Sequence, residues 1–125
     1  MKKIITSKNA PAPIGPYSQA VMAGNMLFVS GQIAINPSSG ELLVGDIKTE
    51  TKQVMENLKG VLTEAALDFS AIIKTTIFLK SMDDFAVVNE VYGSYFTADF
   101  PARETVEVSK LPKNVNVEIS VIAMK

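Results

Sequence analysis

The order of elements read along the chain predicts an α+β fold: a two-layer sandwich with a mixed six-stranded sheet and two helices packed on one face. Three observations carry that reading. Apolar residues recur at three- and four-residue spacing between Thr49 and Ala66. The runs around that segment are β-branched and alternate in polarity. Hydrophobic residues make up 47% of the 125 positions, and strands such as Met26-Leu27-Phe28-Val29 are apolar at both parities, so the second sheet face needs a cover. No repeat or low-complexity linker divides the chain, and residues 1–125 read as a single domain.

The opening is irregular, with Pro11, Pro13 and Pro16 holding an extended path into Tyr17. Gln19 to Ala23 and Met26 to Ala34 read as strands joined by the two-residue link Gly24-Asn25, a hairpin signal. Beyond the turn at Asn36-Pro37-Ser38-Ser39-Gly40, Glu41 to Val44 reads as a short edge strand. The stripe Val54, Leu58, Val61, Leu62 and Ala65 predicts the first helix. Ile72 to Leu79 reads as a strand with Ile73, Thr75, Ile77 and Leu79 on one face. Ser81-Met82-Asp83-Asp84 resembles a capping box, and helical spacing continues from Phe85 to about Ala98, before Pro101. Strands from about Arg103 to Ser109 and Val115 to Ala123 close the chain, linked as a hairpin through Leu111-Pro112.

Composition narrows the chemistry. With no histidine and no cysteine, the chain lacks the usual neutral-pH proton shuttle, a thiolate nucleophile and the common soft metal ligands. Acid–base work must fall to a carboxylate, a tyrosine or a lysine. A net charge of −1, a pI near 5.4 and lysines scattered singly provide no basic stripe for nucleic acid. No segment is long enough to span a membrane or to act as a signal peptide, and the reading is a cytoplasmic protein. The apolar excess points to surface buried between subunits.

One arginine stands among eleven lysines. Where lysine supplies the surface charge, a lone guanidinium suggests bidentate grip on a carboxylate or phosphate. Arg103 could equally close a structural ion pair with Glu104 or Glu118. Arg103, Thr105 and Glu107 share one face of their strand, as do Asn116, Glu118 and Ser120 of theirs. A hairpin with coinciding apolar faces would set Glu118 opposite Arg103 or Thr105, close enough to flank one small ligand. Asn89 reads as a helix-packing amide, and Ser30-Gly31 as a bulge or a close backbone approach.

The blocks Gly15-Pro16-Tyr17-Ser18-Gln19-Ala20, Leu27-Phe28-Val29-Ser30-Gly31-Gln32-Ile33, Thr75-Thr76-Ile77-Phe78-Leu79, Val88-Asn89-Glu90-Val91-Tyr92, Pro101-Ala102-Arg103 and Val117-Glu118-Ile119 resemble, in order and over essentially the whole chain, the RidA (YjgF) family of reactive-intermediate deaminases. The resemblance implies a chorismate-mutase-like subunit, a homotrimer with clefts between subunits, and no metal or organic cofactor. It implies hydrolysis of 2-imino acids, notably 2-iminobutanoate and 2-iminopropanoate, to 2-keto acids and ammonia. It further implies that Arg103 grips the substrate carboxylate and Glu118 orients or activates water. Tyr17, Ser30, Gly31 and Asn89 would line the cleft, and the backbone at Glu104 and Thr105 would complete it. The rival expectation is a trimeric carboxylate-binding regulatory module without turnover. A nuclease or translation-inhibitor role, also attached to this family, ranks last. Thr105 stands where many members carry cysteine, which removes thiol-based regulation. Asn114 stands where glycine is common, and the segment Ala65 to Ser70 lacks a common glycine.

Overall fold

A computed structural model describes residues 1–125. Strands β1 (Lys2–Ile5), β2 (Ala20–Ala23) and β3 (Met26–Gln32) precede helix α1 (Ile47–Glu64). Strand β4 (Ile72–Leu79), helix α2 (Phe85–Gly93) and strands β5 (Ala102–Glu107) and β6 (Val117–Met124) follow. The sheet order is β1-β2-β3-β6-β4-β5, with β4 and β5 parallel and every other pair antiparallel. Both helices cover one face, and Leu27, Val54, Leu58, Val61, Ile77, Leu79, Val117 and Ile119 form the core between the layers. This is the expected mixed six-stranded α+β sandwich.

Three expectations are corrected. The sixth strand is β1, which pairs with β2, whereas Glu41 to Val44 makes only a single bridge, Ile35 with Leu42. The segment read as irregular therefore begins as an edge strand, and its prolines lie beyond it. The second helix ends at Gly93 rather than near Ala98. Ser94 turns the chain, its Oγ donating to the Val91 carbonyl, and Tyr95 and Phe96 continue the apolar spacing by packing on Phe69. The last two strands form no hairpin, because β4 lies between them: Thr75 pairs with both Arg103 and Val121, and Phe78 with both Val106 and Glu118. A parallel β4–β5 pair requires a crossover, which α2 supplies.

Two non-glycine residues hold turns in left-handed backbone, one in the segment Ala65 to Ser70 and one at Asn114. Ala66 adopts φ 60° just past Ala65, the residue that caps α1, and Asn114 adopts φ 57°.

The open face of the sheet carries two apolar pairs, Phe28 with Ile122 and Phe78 with Val106, on either side of Lys74, Thr76, Glu104 and Ser120, with Phe28 45% and Val106 43% exposed. Sheet faces of this composition are normally covered.

At Gly60 helix α1 packs closely on the N-terminal segment, since a Cβ there would strike the backbone carbonyl of Asn9. Gly60→Ala is expected to destabilise the protein by about 1–3 kcal/mol through overpacking, more than the roughly 1 kcal/mol gained in helix propensity. Urea denaturation measures it, and an unchanged or raised midpoint would refute the close approach.

Candidate active site

Arg103 projects from β5 toward the helix layer. Its Nη1 donates to Asn89 Oδ1 of α2 at 2.6 Å, and its Cζ lies 5.3 Å from the Tyr92 ring centroid and 5.8 Å from that of Phe85. These rings favour a cation and stiffen the guanidinium. Tyr92 is itself held by a 2.9 Å hydrogen bond to Thr75. No carboxylate of the chain pairs with Arg103. Glu104 points to the other sheet face, where it meets Lys74 Nζ at 3.2 Å and accepts from Thr76 Oγ1 at 3.2 Å. The structural ion pair is therefore absent, and a cleft bordered by Arg103, Asn89, Tyr92, Phe100 and Pro101 leaves the guanidinium open to an outside anion. The Thr105 hydroxyl, two residues along the same face, is buried without a partner.

Glu118 belongs to a different place. Val117, Ile119 and Val121 enter the core, so Glu118 stands on the open face, beside Phe78. It shares a cleft with Tyr17, Gly31, Gln19 and Pro112. The Glu118 carboxylate lies directly over Gly31, where a Cβ would come within 2.5 Å of Oε2. The β3–β6 register shifts between Val29 and Gln32 at this point, so Ser30-Gly31 is both a bulge and a close approach, as read from the sequence. No hydrogen bond or cation of the chain meets Glu118, and burial raises its pKa above the ordinary carboxylate range. Ser30 Oγ donates to the Ser18 carbonyl at 2.6 Å, tying the cleft rim to β3, and Tyr17 is half exposed with its hydroxyl near the Ile14 amide.

The expected juxtaposition of Arg103 and Glu118 thus fails within one chain. They lie on opposite faces, with Cα atoms about 14 Å apart by two strand spacings and three residues of rise. The alternation within each strand was read correctly. What failed was the assumption that apolar rows coincide: in β5 the row Arg103, Thr105 and Glu107 faces the helices, and Val106 faces outward. Asn89 and Arg103 come together in one half-site, and Tyr17, Gly31 and Glu118 in the other.

Three residues that position the clefts escaped the sequence reading. Gln19 is buried, with Oε1 accepting from the Ser7 amide and Nε2 donating to the carbonyls of Ser7, Ala10 and Pro11, so it folds the proline-rich rim. Asn57 Nδ2 donates to the carbonyls of Ile33 and Ile35 at 3.0 Å each. Glu50 accepts from the start of β6. A signal existed for the last two, because Glu50 and Asn57 stand four residues before and three after Val54, on the apolar stripe of α1.

The fold defines a two-layer α+β subunit with a lone guanidinium in one cleft and a lone carboxylate in another. The endoribonuclease L-PSP family model matches residues 7–125. A RutC family protein of Pyrococcus horikoshii is 55% identical over all of this chain and 99% of its own length. The 2-iminobutanoate/2-iminopropanoate deaminase of Escherichia coli K12 is 47% identical, covering 100% of this chain and 99% of its own. The crystal structure of E. coli TdcF with bound serine superposes with a TM-score of 0.94 at 42% identity, over 98% of each chain. The chain belongs to the RidA (YjgF) family. Imine and enamine deamination is supported for that family by such relatives. No helix of this chain is long and apolar enough to cross a membrane.

Proposed function

We propose that the protein hydrolyses 2-imino acids, such as 2-iminobutanoate and 2-iminopropanoate, to 2-keto acids and ammonia, in sites completed between the subunits of a homotrimer. The observation that carries this is the separation of two unsatisfied half-sites, one cationic and one anionic, on opposite faces of a subunit whose open sheet face exposes Phe28 and Val106. Neither half alone can both hold a small carboxylate and handle its protons. Arg103 of one subunit would bind the substrate carboxylate in a planar two-bond grip, with Asn89 orienting the guanidinium. Glu118 of its neighbour would take a proton from water as the oxygen adds to the imine carbon. The nitrogen would receive that proton, and the carbinolamine hydroxyl would pass its own through Glu118 to the departing nitrogen as the carbon–nitrogen bond breaks and the carbonyl forms, so that ammonia leaves with the keto acid. Tyr17 and Gly31 would wall the Glu118 side, and the backbone at Glu104 and Thr105 would complete the Arg103 side.

A second reading, a trimeric carboxylate-binding module without turnover, draws on the serine bound in TdcF and on Arg103 alone. The deciding measurement follows freshly generated 2-iminobutanoate: its disappearance is expected to exceed the spontaneous rate when the protein is added. Native mass measurement in the same buffer is expected to give a trimer. Monomer alone at micromolar concentration would remove the shared site, and an unaccelerated imine would remove the hydrolase.

A further inference from the structure

We infer that Glu50 is the positioning residue of Glu118: from the first turn of α1 it grips the backbone immediately ahead of Glu118 and sets where that carboxylate stands over Gly31. Its kinetic consequence rests on the hydrolase reading; its geometry does not.

Glu50 is fully buried. The one ion pair of the chain joins Lys74 and Glu104, so no cation balances Glu50. Instead three N–H groups converge on it. Oε2 accepts from the Asn116 amide at 2.7 Å and the Val117 amide at 3.3 Å, and Oε1 accepts from Asn116 Nδ2 at 2.8 Å. The first turn of a helix favours an anion, and amide donors replace the lost hydration. Such burial remains a poor route to stability, since apolar residues of similar volume usually serve as well or better. What it supplies is a fixed place for the start of β6.

That place needs fixing. On the β3 side the ladder is interrupted by the bulge, and pairing at this end reaches only Gln32 with Ile119, one residue past Glu118. On the β4 side Val117 pairs with the last strand residue, Leu79. Glu118 therefore stands next to the start of β6, paired with Phe78 of β4 but beside the bulge on the β3 side, and its carboxylate must still meet the Gly31 backbone closely. Glu50 holds the two residues before it. An acceptor-only group is required, because a glutamine would turn an amide N–H against one of the three donors.

The test replaces Glu50 by glutamine and reads the side-chain 13C titration of Glu118 together with imine hydrolysis. In a folded variant, judged by circular dichroism and native mass, the Glu118 titration is expected to move toward the ordinary carboxylate range. The kcat is expected to fall roughly 10- to 100-fold with KM little changed, the cost of a small misplacement. Adding Asn116→Asp restores an acceptor opposite the new amide and is expected to recover most of the rate, which a merely destabilised fold would not do. An unchanged Glu118 titration and kcat in folded Glu50→Gln would overturn the inference. Should that variant not fold, Asn116→Ala keeps both backbone bonds and is expected to give the same shift in smaller size; no shift there would also overturn it. If the parent hydrolyses no imine while the Glu118 titration still responds to Glu50, the hydrolase reading fails and the positioning role stands.

Discussion

Glu118→Gln is expected to lower imino-acid hydrolysis by about 10²–10⁴, the usual range for losing a positioned general acid–base group, while 2-keto acid binding suffers far less. Glutamine keeps the shape over Gly31 but cannot accept a proton from water. Within the subunit burial raises the pKa of Glu118, and in the shared site Arg103 of the neighbouring subunit would oppose that shift. The rate of the parent should climb with pH as Glu118 loses its proton, and that limb should vanish in the variant. Stability has the opposite sign. The native state holds this proton more tightly than the unfolded chain, so the contribution is full below the ordinary carboxylate range and is lost as pH rises through the raised value. A neutral side chain escapes that loss, and the Tm of the variant at neutral pH is expected to equal or exceed that of the parent. The experiment titrates 2-ketobutyrate into both proteins and times hydrolysis separately. Full rate in the variant would exclude Glu118 as the catalytic group. Binding by both with hydrolysis by neither would favour the carboxylate-binding module.

Arg103→Lys is expected to cost about ten- to hundredfold in rate or affinity, since hydrogen bonds to charged groups are worth about 1.5–3 kcal/mol and lysine loses the planar fork. The geometry sharpens this. Arg103 reaches Asn89 while lying against Tyr92 and Phe85, an arrangement that an ammonium on a flexible stem cannot copy. Mixing the two variants adds a test that neither supplies alone. If each site takes Arg103 from one subunit and Glu118 from its neighbour, random reassembly at equal amounts restores about one quarter of the sites, half times half. Recovery near that level is the expected result. Mixed trimers with no recovery would refute the shared site, and an Arg103→Lys protein as active as the parent would refute the carboxylate grip.

Much of this site was legible in one dimension. The rarity of Arg103 among lysines, the placement of Glu118 in a β-branched strand and the break at Ser30-Gly31 are properties of the chain itself, and each corresponds to a feature of the structure. Glu50 and Asn57 were legible in principle, as polar residues on an apolar helix stripe, but their partners were not. Those partners are backbone groups of Asn116, Val117, Ile33 and Ile35, and main-chain donors and acceptors are present at every position.

Local periodicity by itself determined most elements: the 3.6-residue stripe of α1, the alternation in β6 and in β4 beyond the irregularity at Ile73, and the Gly24-Asn25 hairpin depend only on a residue's near neighbours. Only the tertiary structure decided which strands adjoin. Between β5 and β6 lies β4, contributed from more than twenty residues earlier in the chain, and α2 carries the chain across to make β5 parallel. That choice turns Arg103 toward the helices and leaves Glu118 on the open face. Strand order is settled by long-range pairing and by the handed crossover, neither of which leaves a mark on the local pattern of polar and apolar residues.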